Sequence, residues 1–335
     1  MAVLFESQKR TARNVCLSIN SQASSNDLFA DNKFTQRQRF DGTSVWERIP
    51  SRRSDKDQAG KGTEFATEGQ ETLWDTKGEL KGMEAEGFTL GWMFAFAWGT
   101  DTVTGSGPYV HDFTIEETTT KAMMTNVYVE DTAAIKTKYQ DMAITEFTMS
   151  YAQKSAIKID IMMAGCGHWT DGAIASLPAV AQPTYLLNSD TTVTLGPVGS
   201  GAVISSRVRS GSVKFSTGAV SHTGPGNGLY GYGMRLGLRK ISFDLVIAAQ
   251  STDDILTLIE NDTLSFLDLS TNSGAAAEMD VNFPAFKLKA VQIGAEENMI
   301  IWKISADETC MYNIGGAGVA TASVTNSVAA YLTAV

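Results

Sequence analysis

The chain has 335 residues, with 27 Lys and Arg against 37 Asp and Glu and a net charge of −10. That length can bury two cores, while the acidity argues against a general nucleic-acid coat, which needs a basic surface to meet phosphates. Three scattered cysteines (Cys16, Cys166, Cys310) imply no disulfide framework, and three histidines without a Cys-x-x-Cys supply a zinc site poorly.

Residues 1–61 carry 11 Lys/Arg against 7 Asp/Glu, among them Arg37, Arg39, Arg52 and Arg53. With few periodic apolar runs, this segment reads as a basic extended arm or lead-in. Its start lacks the basic opening and apolar core of a signal peptide. Residues 62–171 read as a first β domain. A short strand at 79–86 leads into 88–98, which is apolar all round. At about half of the ~20 residues that cross a bilayer, it predicts no membrane span. It predicts a helix covered on every side, with Phe88, Trp92, Phe96 and Trp98 buried in the core or against a neighbouring subunit. After an insert at 100–120, bulky residues alternate at Phe147, Met149 and Tyr151, then at Ile157, Ile159, Ile161 and Met163. That is the period of strands with one buried face, joined by a hairpin at 152–155.

The Gly-, Pro-, Ser- and Thr-rich stretch 172–203 reads as a linker. The order strand, short helix, gap, hairpin then returns over 204–310, a second β domain. Ile241, Phe243, Leu245 and Ile247 alternate in a strand, and 251–260 predicts a helix capped by Ser251. Residues 286–293 and 299–305 form the matching hairpin. Residues 311–335 hold no charged side chain and suit a strand that docks on something.

Chemistry is harder to find. Gly226, Gly228 and Gly231 match Gly-x-Gly-x-x-Gly, but the next element is a strand, so a loop is expected in place of a dinucleotide site. Cys166, His168 and Cys310 lack a fourth metal ligand at suitable spacing. Asp253 and Asp254 are explained by a helix start, and Glu116 and Glu117 by an exposed loop. No enzyme site, cofactor or metal is expected.

Four segments in order resemble the tail tube proteins of long-tailed bacteriophages, in the family's larger type. These are 69–82 (Gly-Gln-Glu-Thr-Leu-Trp-Asp-Thr-Lys-Gly-Glu-Leu-Lys-Gly), the helix and glycine at 88–99, the Tyr-Val-His-Asp-Phe-Thr segment within 107–115, and the hairpin at 146–165. The resemblance implies a mainly β chain of two tandem sandwich or barrel domains, each with one short helix. It also implies a structural virion protein whose rings stack into the tube that conducts phage DNA. Its partners would be further copies of itself, the tape measure protein, the tail terminator, distal tail or baseplate proteins and, in a contractile tail, a sheath. The alternatives are another virion shell component, such as a capsid or decoration protein, or a bacterial surface β-protein.

Two fused tube folds would let three chains make a pseudo-sixfold ring, in preference to a hexamer. Residues 1–61 or 311–335 would bridge adjacent rings. The alternation in the first hairpin would turn Glu146, Thr148, Ser150, Lys158 and Asp160 towards the lumen, with Lys287 and Lys289 as their counterparts in the second. The lumen is expected to be acidic overall, so that DNA passes without specific binding.

Overall fold

A computed structural model describes residues 14–39, 44–54, 69–131, 135–179, 183–226, 228–250, 255–296, 299–314, 316 and 318–335. The fold is mainly β, as expected. Its principal strands are β1 (Trp46–Ser54), β2 (Gly69–Glu84), β3 (Tyr109–Thr114), β4 (Lys136–Ala152), β5 (Lys158–Gly165), β6 (Thr191–Pro197), β7 (Val208–Ser216), β8 (Lys240–Ala248), β9 (Ser265–Asn272), β10 (Glu278–Phe286), β11 (Ala290–Glu296), β12 (Met299–Asp307) and β13 (Thr321–Asn326). Helix α1 (Gly87–Trp98) follows β2, and helix α2 (Ile255–Glu260) follows β8.

Two sheets pack face to face. The larger runs β11-β12-β8-β7-β4-β5-β2-β1, with Asn14–Leu17, Gln36–Gln38, Thr125–Glu130 and Trp169–Asp171 attached off this path beside β4. The smaller is Ala202–Val203, β6, β9, β10, β13, β3 and Thr102–Thr104 in order. Aromatic rings join the layers. Phe243 of β8 meets Phe283 and Phe286 of β10, with centroids 5.2 and 4.8 Å apart. Offset or edge-on ring pairs at this spacing are favourable beyond their buried area.

Helix α1 lies between the sheets and packs against β4, β13 and β3. Every one of its residues is buried within this chain. Phe94 touches Phe113 of the smaller sheet and Phe147 of the larger. The Trp92 indole N–H donates to the Ser18 carbonyl at 2.8 Å, so this large ring is buried without an orphaned donor. The helix ends at Gly99, whose φ of 88° places it in the left-handed region that a helix stop favours.

Several boundaries differ from the sequence reading. The expected lead-in is folded over 14–39 and 44–54: Asn14–Leu17 pairs with Thr125–Glu130, and β1 pairs with β2. Buried Asp141 helps hold it, accepting from Gln22 Nε2 at 3.0 Å and from the Asn26 N–H at 2.8 Å. The expected linker contains β6, whose Thr191, Val193 and Leu195 alternate into the core. Likewise, the insert at 100–120 supplies β3. The expected strand 286–293 is divided: Phe286 ends β10 in one sheet and Ala290 begins β11 in the other. Of the expected helix 251–260, Ser251, Asp253 and Asp254 lie outside the described residues.

The uncharged tail docks, but on its own chain. Strand β13 inserts between β10 and β3, burying Ala322 and Val324. Beyond it, the Asn326 amide donates to the Gly87 carbonyl at 2.9 Å and the Tyr331 hydroxyl to the Phe88 carbonyl at 3.1 Å. An apolar strand gains by leaving water wherever an open sheet position receives it, and the smaller sheet provides one within this chain.

Candidate sheet face and its open edges

In an antiparallel ladder, residues directly opposite one another share a face, and successive residues alternate. The larger sheet therefore has one face on the core and one turned away. The core face carries Ile304, Phe243, Phe215, Phe147, Met149, Ile159 and Leu80. On the other face, one continuous row reads Asp307, Ser242, Lys214, Thr148 and Asp160 across five strands. The adjacent row reads Ser305, Asp244, Ser212, Ser150, Lys158 and Glu84. A third contains Lys240, Ser216, Glu146, Met162 and Glu79.

Glu146, Thr148, Ser150, Lys158 and Asp160 are thus brought together on one polar face. The whole face carries charges of both signs with acids in excess. With the flanking positions included, Lys77, Lys81, Lys158, Lys214, Lys240 and Lys303 stand against Glu47, Asp75, Glu79, Glu84, Glu146, Asp160, Asp244, Glu296 and Asp307. The signs interleave. Lys214 Nζ lies 2.9 Å from Glu146 Oε1, and Lys81 Nζ lies 2.7 Å from Glu79 Oε2. Asp160 Oδ1 accepts the Gly82 N–H at 2.7 Å. That contact joins β5 to β2 beside an irregularity in their register.

Lys287 and Lys289 lie on the connection between β10 and β11. Lys287 is paired with Asp262. Lys289 is paired with Asp307 at the border of the polar face, and this ion pair raises the lysine pKa. Phe88, Trp92, Phe96 and Trp98 are at most 9% exposed, so the chain itself covers them. Sequence reasoning missed Lys214, Lys240 and Asp244 as members of the face. The alternation of β8 signalled two of them, because Lys240 and Asp244 interleave with its buried Ile241 and Phe243.

The other motifs have structural roles. The glycine-rich stretch is a loop, where the Gly231 N–H donates to the Cys166 carbonyl at 3.1 Å. Burial pushes the Cys166 thiol up to about 12, which keeps it protonated and unreactive at neutral pH. Among the described residues, no three His, Cys, Asp or Glu side chains gather to hold a metal. Among them too, no helix is long and apolar enough to cross a membrane.

Among the described residues, the larger sheet ends on each side in a strand with one neighbour, β1 at one end and β11 at the other. Such edges present unpaired N–H and C=O groups that invite another strand. A sandwich with a charge-interleaved face and two open edges is built for structural association. The chain belongs to the phage tail tube protein family, whose model matches residues 75–328. It is therefore a structural protein of the phage tail, of a kind that is not enzymatic. No curated protein matches it.

Proposed function

We propose that this chain polymerises as stacked rings into the hollow tail tube and that phage DNA passes through the channel. The observation that supports the reading best is the eight-strand run β11-β12-β8-β7-β4-β5-β2-β1, polar on one face and, among the described residues, open at both ends. Head-to-tail pairing of its ends closes a ring by rotation, and closure removes the exposed edges. The polar face then lines the lumen, including Glu146, Thr148, Ser150, Lys158 and Asp160. Lys289 sits at its border and is neutralised by Asp307, while Lys287 is held aside by Asp262. A wall of interleaved charges and Ser/Thr hydroxyls offers DNA no continuous basic track, so counterion-release binding stays weak.

In this reading the chain is two fused tube units, 62–171 and 204–310, the first joined by β1 from the lead-in, and three chains make a pseudo-sixfold ring. Each half contributes four strands to the run, in equivalent order: β4-β5-β2-β1 and β11-β12-β8-β7. The tube would end on the tape measure, terminator and distal tail or baseplate proteins, with a sheath around it in a contractile tail. Residues 1–61, of which 1–13, 40–43 and 55–61 lie outside the described residues, or the tail 311–335 would bridge adjacent rings. Electron microscopy of the purified protein tests the whole reading. Hollow tubes with threefold end-on averages are expected; shells, or strict sixfold symmetry with one chain per fold, would overturn it.

A further inference from the structure

We infer that the seam inside the chain, β7 against β4, is the template for the contact between chains, and that it sets the register: β1 of one copy pairs with β11 of the next, with Trp46 opposite Ile293. This rests on the ring reading above and specifies how the ring is closed.

Seven antiparallel pairings separate β11 from β1, so the two free edges run in opposite directions. A second copy rotated beside the first therefore presents β11 to β1 antiparallel, as β4 meets β7 within the chain. The halves can be aligned residue by residue on their ladders. Met149, Ile159 and Met83 form a core-facing row in the first half. Ile293, Trp302 and Ile247 form its counterpart in the second. Four residues further along β5 and β12, Met163 pairs with Gly78 and Ala306 with Phe243. Gly78 in turn pairs with Trp46 on β1, and Phe243 with Val213 on β7. Trp46 is thus the counterpart of Val213, and Ile293 that of Met149. Val213 faces Met149 across the seam, so Trp46 faces Ile293 across the contact between copies.

Exposure supports the assignment independently. Met149 and Ile157 are 0% exposed, whereas their counterparts Ile293 and Ile300 are 69% and 60% exposed. Ile293 lies opposite buried Trp302 and on the same side, so its orientation is that of a core residue lacking one neighbour. The neighbour that Met149 has, and Ile293 lacks, is a strand equivalent to β7. Trp46, already folded over Gly78 where a Cβ would lie 2.3 Å from its ring, brings a large apolar surface to that position. The Lys214–Glu146 ion pair shows that the polar side of such a seam also engages.

The experiment places cysteines at Glu47 and Gln292, which this register sets opposite each other on the polar face, in a Cys310→Ser background. Facing strand positions fall within disulfide reach. Oxidation of assembled tubes should give covalent oligomers that stop at the ring size, and the pair Glu47→Cys with Glu296→Cys should lose this cross-link. A cryo-electron microscopy map of unmodified tubes reads the same register without any variant. Tubes that form but cross-link only in the shifted pair, or show another residue opposite Trp46, overturn the register and leave the tube reading intact. Failure of the unmodified protein to form rings or tubes overturns both.

Discussion

The two halves supply equivalent strands to one sheet, yet the hairpin of the first is covered within the chain and the hairpin of the second is not. Helix α1 has 12 residues, all buried; the described part of α2 has six, with Ile255 and Leu258 buried. In the hairpin β4–β5, Met149 and Ile157 are sealed by the seam and the helix layer. In β11–β12, the matching Ile293 and Ile300 face water. Equivalent strand order therefore does not bring equivalent burial. The hairpin at the seam has a strand on both sides, β7 and β2; among the described residues, the hairpin at the edge has β8 on one side only.

The sharpest break in this comparison is expected at the first helix. Phe94→Ala removes a ring wedged between the sheets and should cost about 3–5 kcal/mol in urea unfolding, because a cavity surrounded on all sides cannot collapse. A loss below about 1 kcal/mol would mean that the helix is not the keystone of the first half. Next comes the matched pair of hairpin residues. In the unassembled chain, Met149→Ala should cost about 2–5 kcal/mol, while Ile293→Ala should stay within about 0.5 kcal/mol of the parent because its side chain is already wet. In assembled tubes the two should converge, since both sites are then covered; persistent inequality would separate the edge from the seam.

Two smaller effects sharpen the account of the first half. Tyr331→Phe removes a buried hydroxyl that donates to the Phe88 carbonyl and accepts from Asn326. It should lower stability by about 1–2 kcal/mol and loosen amide protection at the start of α1. The smallest effect is pH-linked. Burial raises the Glu86 carboxyl above its ordinary value, opposed by its hydrogen bond from Thr89 and by the nearby Arg39. The folded state therefore keeps that proton to higher pH than the unfolded chain, and stability is lost as pH rises through the raised pKa. Glu86→Gln should be more stable than the parent at neutral pH, and the gap should vanish below about pH 4.5, the ordinary value. A gap that widens towards acid would reverse the sign.

What the sequence determined by itself is local. Period-two alternation assigned Phe147, Met149, Ile159, Ile241 and Phe243 to the core and Glu146, Thr148 and Asp160 to the opposite face, because neighbouring side chains on a strand must point apart. Unbroken apolarity over 88–98 likewise required cover on all sides. Pairing partners were not legible, because an alternating strand specifies its face and not its neighbour. Nothing in the Thr321–Asn326 segment says that it will lie between β10 and β3, yet that position buries the strand within its own chain. Thr191–Pro197 carried a legible alternation obscured by the surrounding Gly and Ser. Lys214 joined the polar face only because β7 lies against β4, more than sixty residues earlier in the chain. Only the tertiary structure could decide these placements: a ladder bond is indifferent to chain separation, and the chosen partner is the strand whose burial leaves the fewest apolar groups and backbone donors in water.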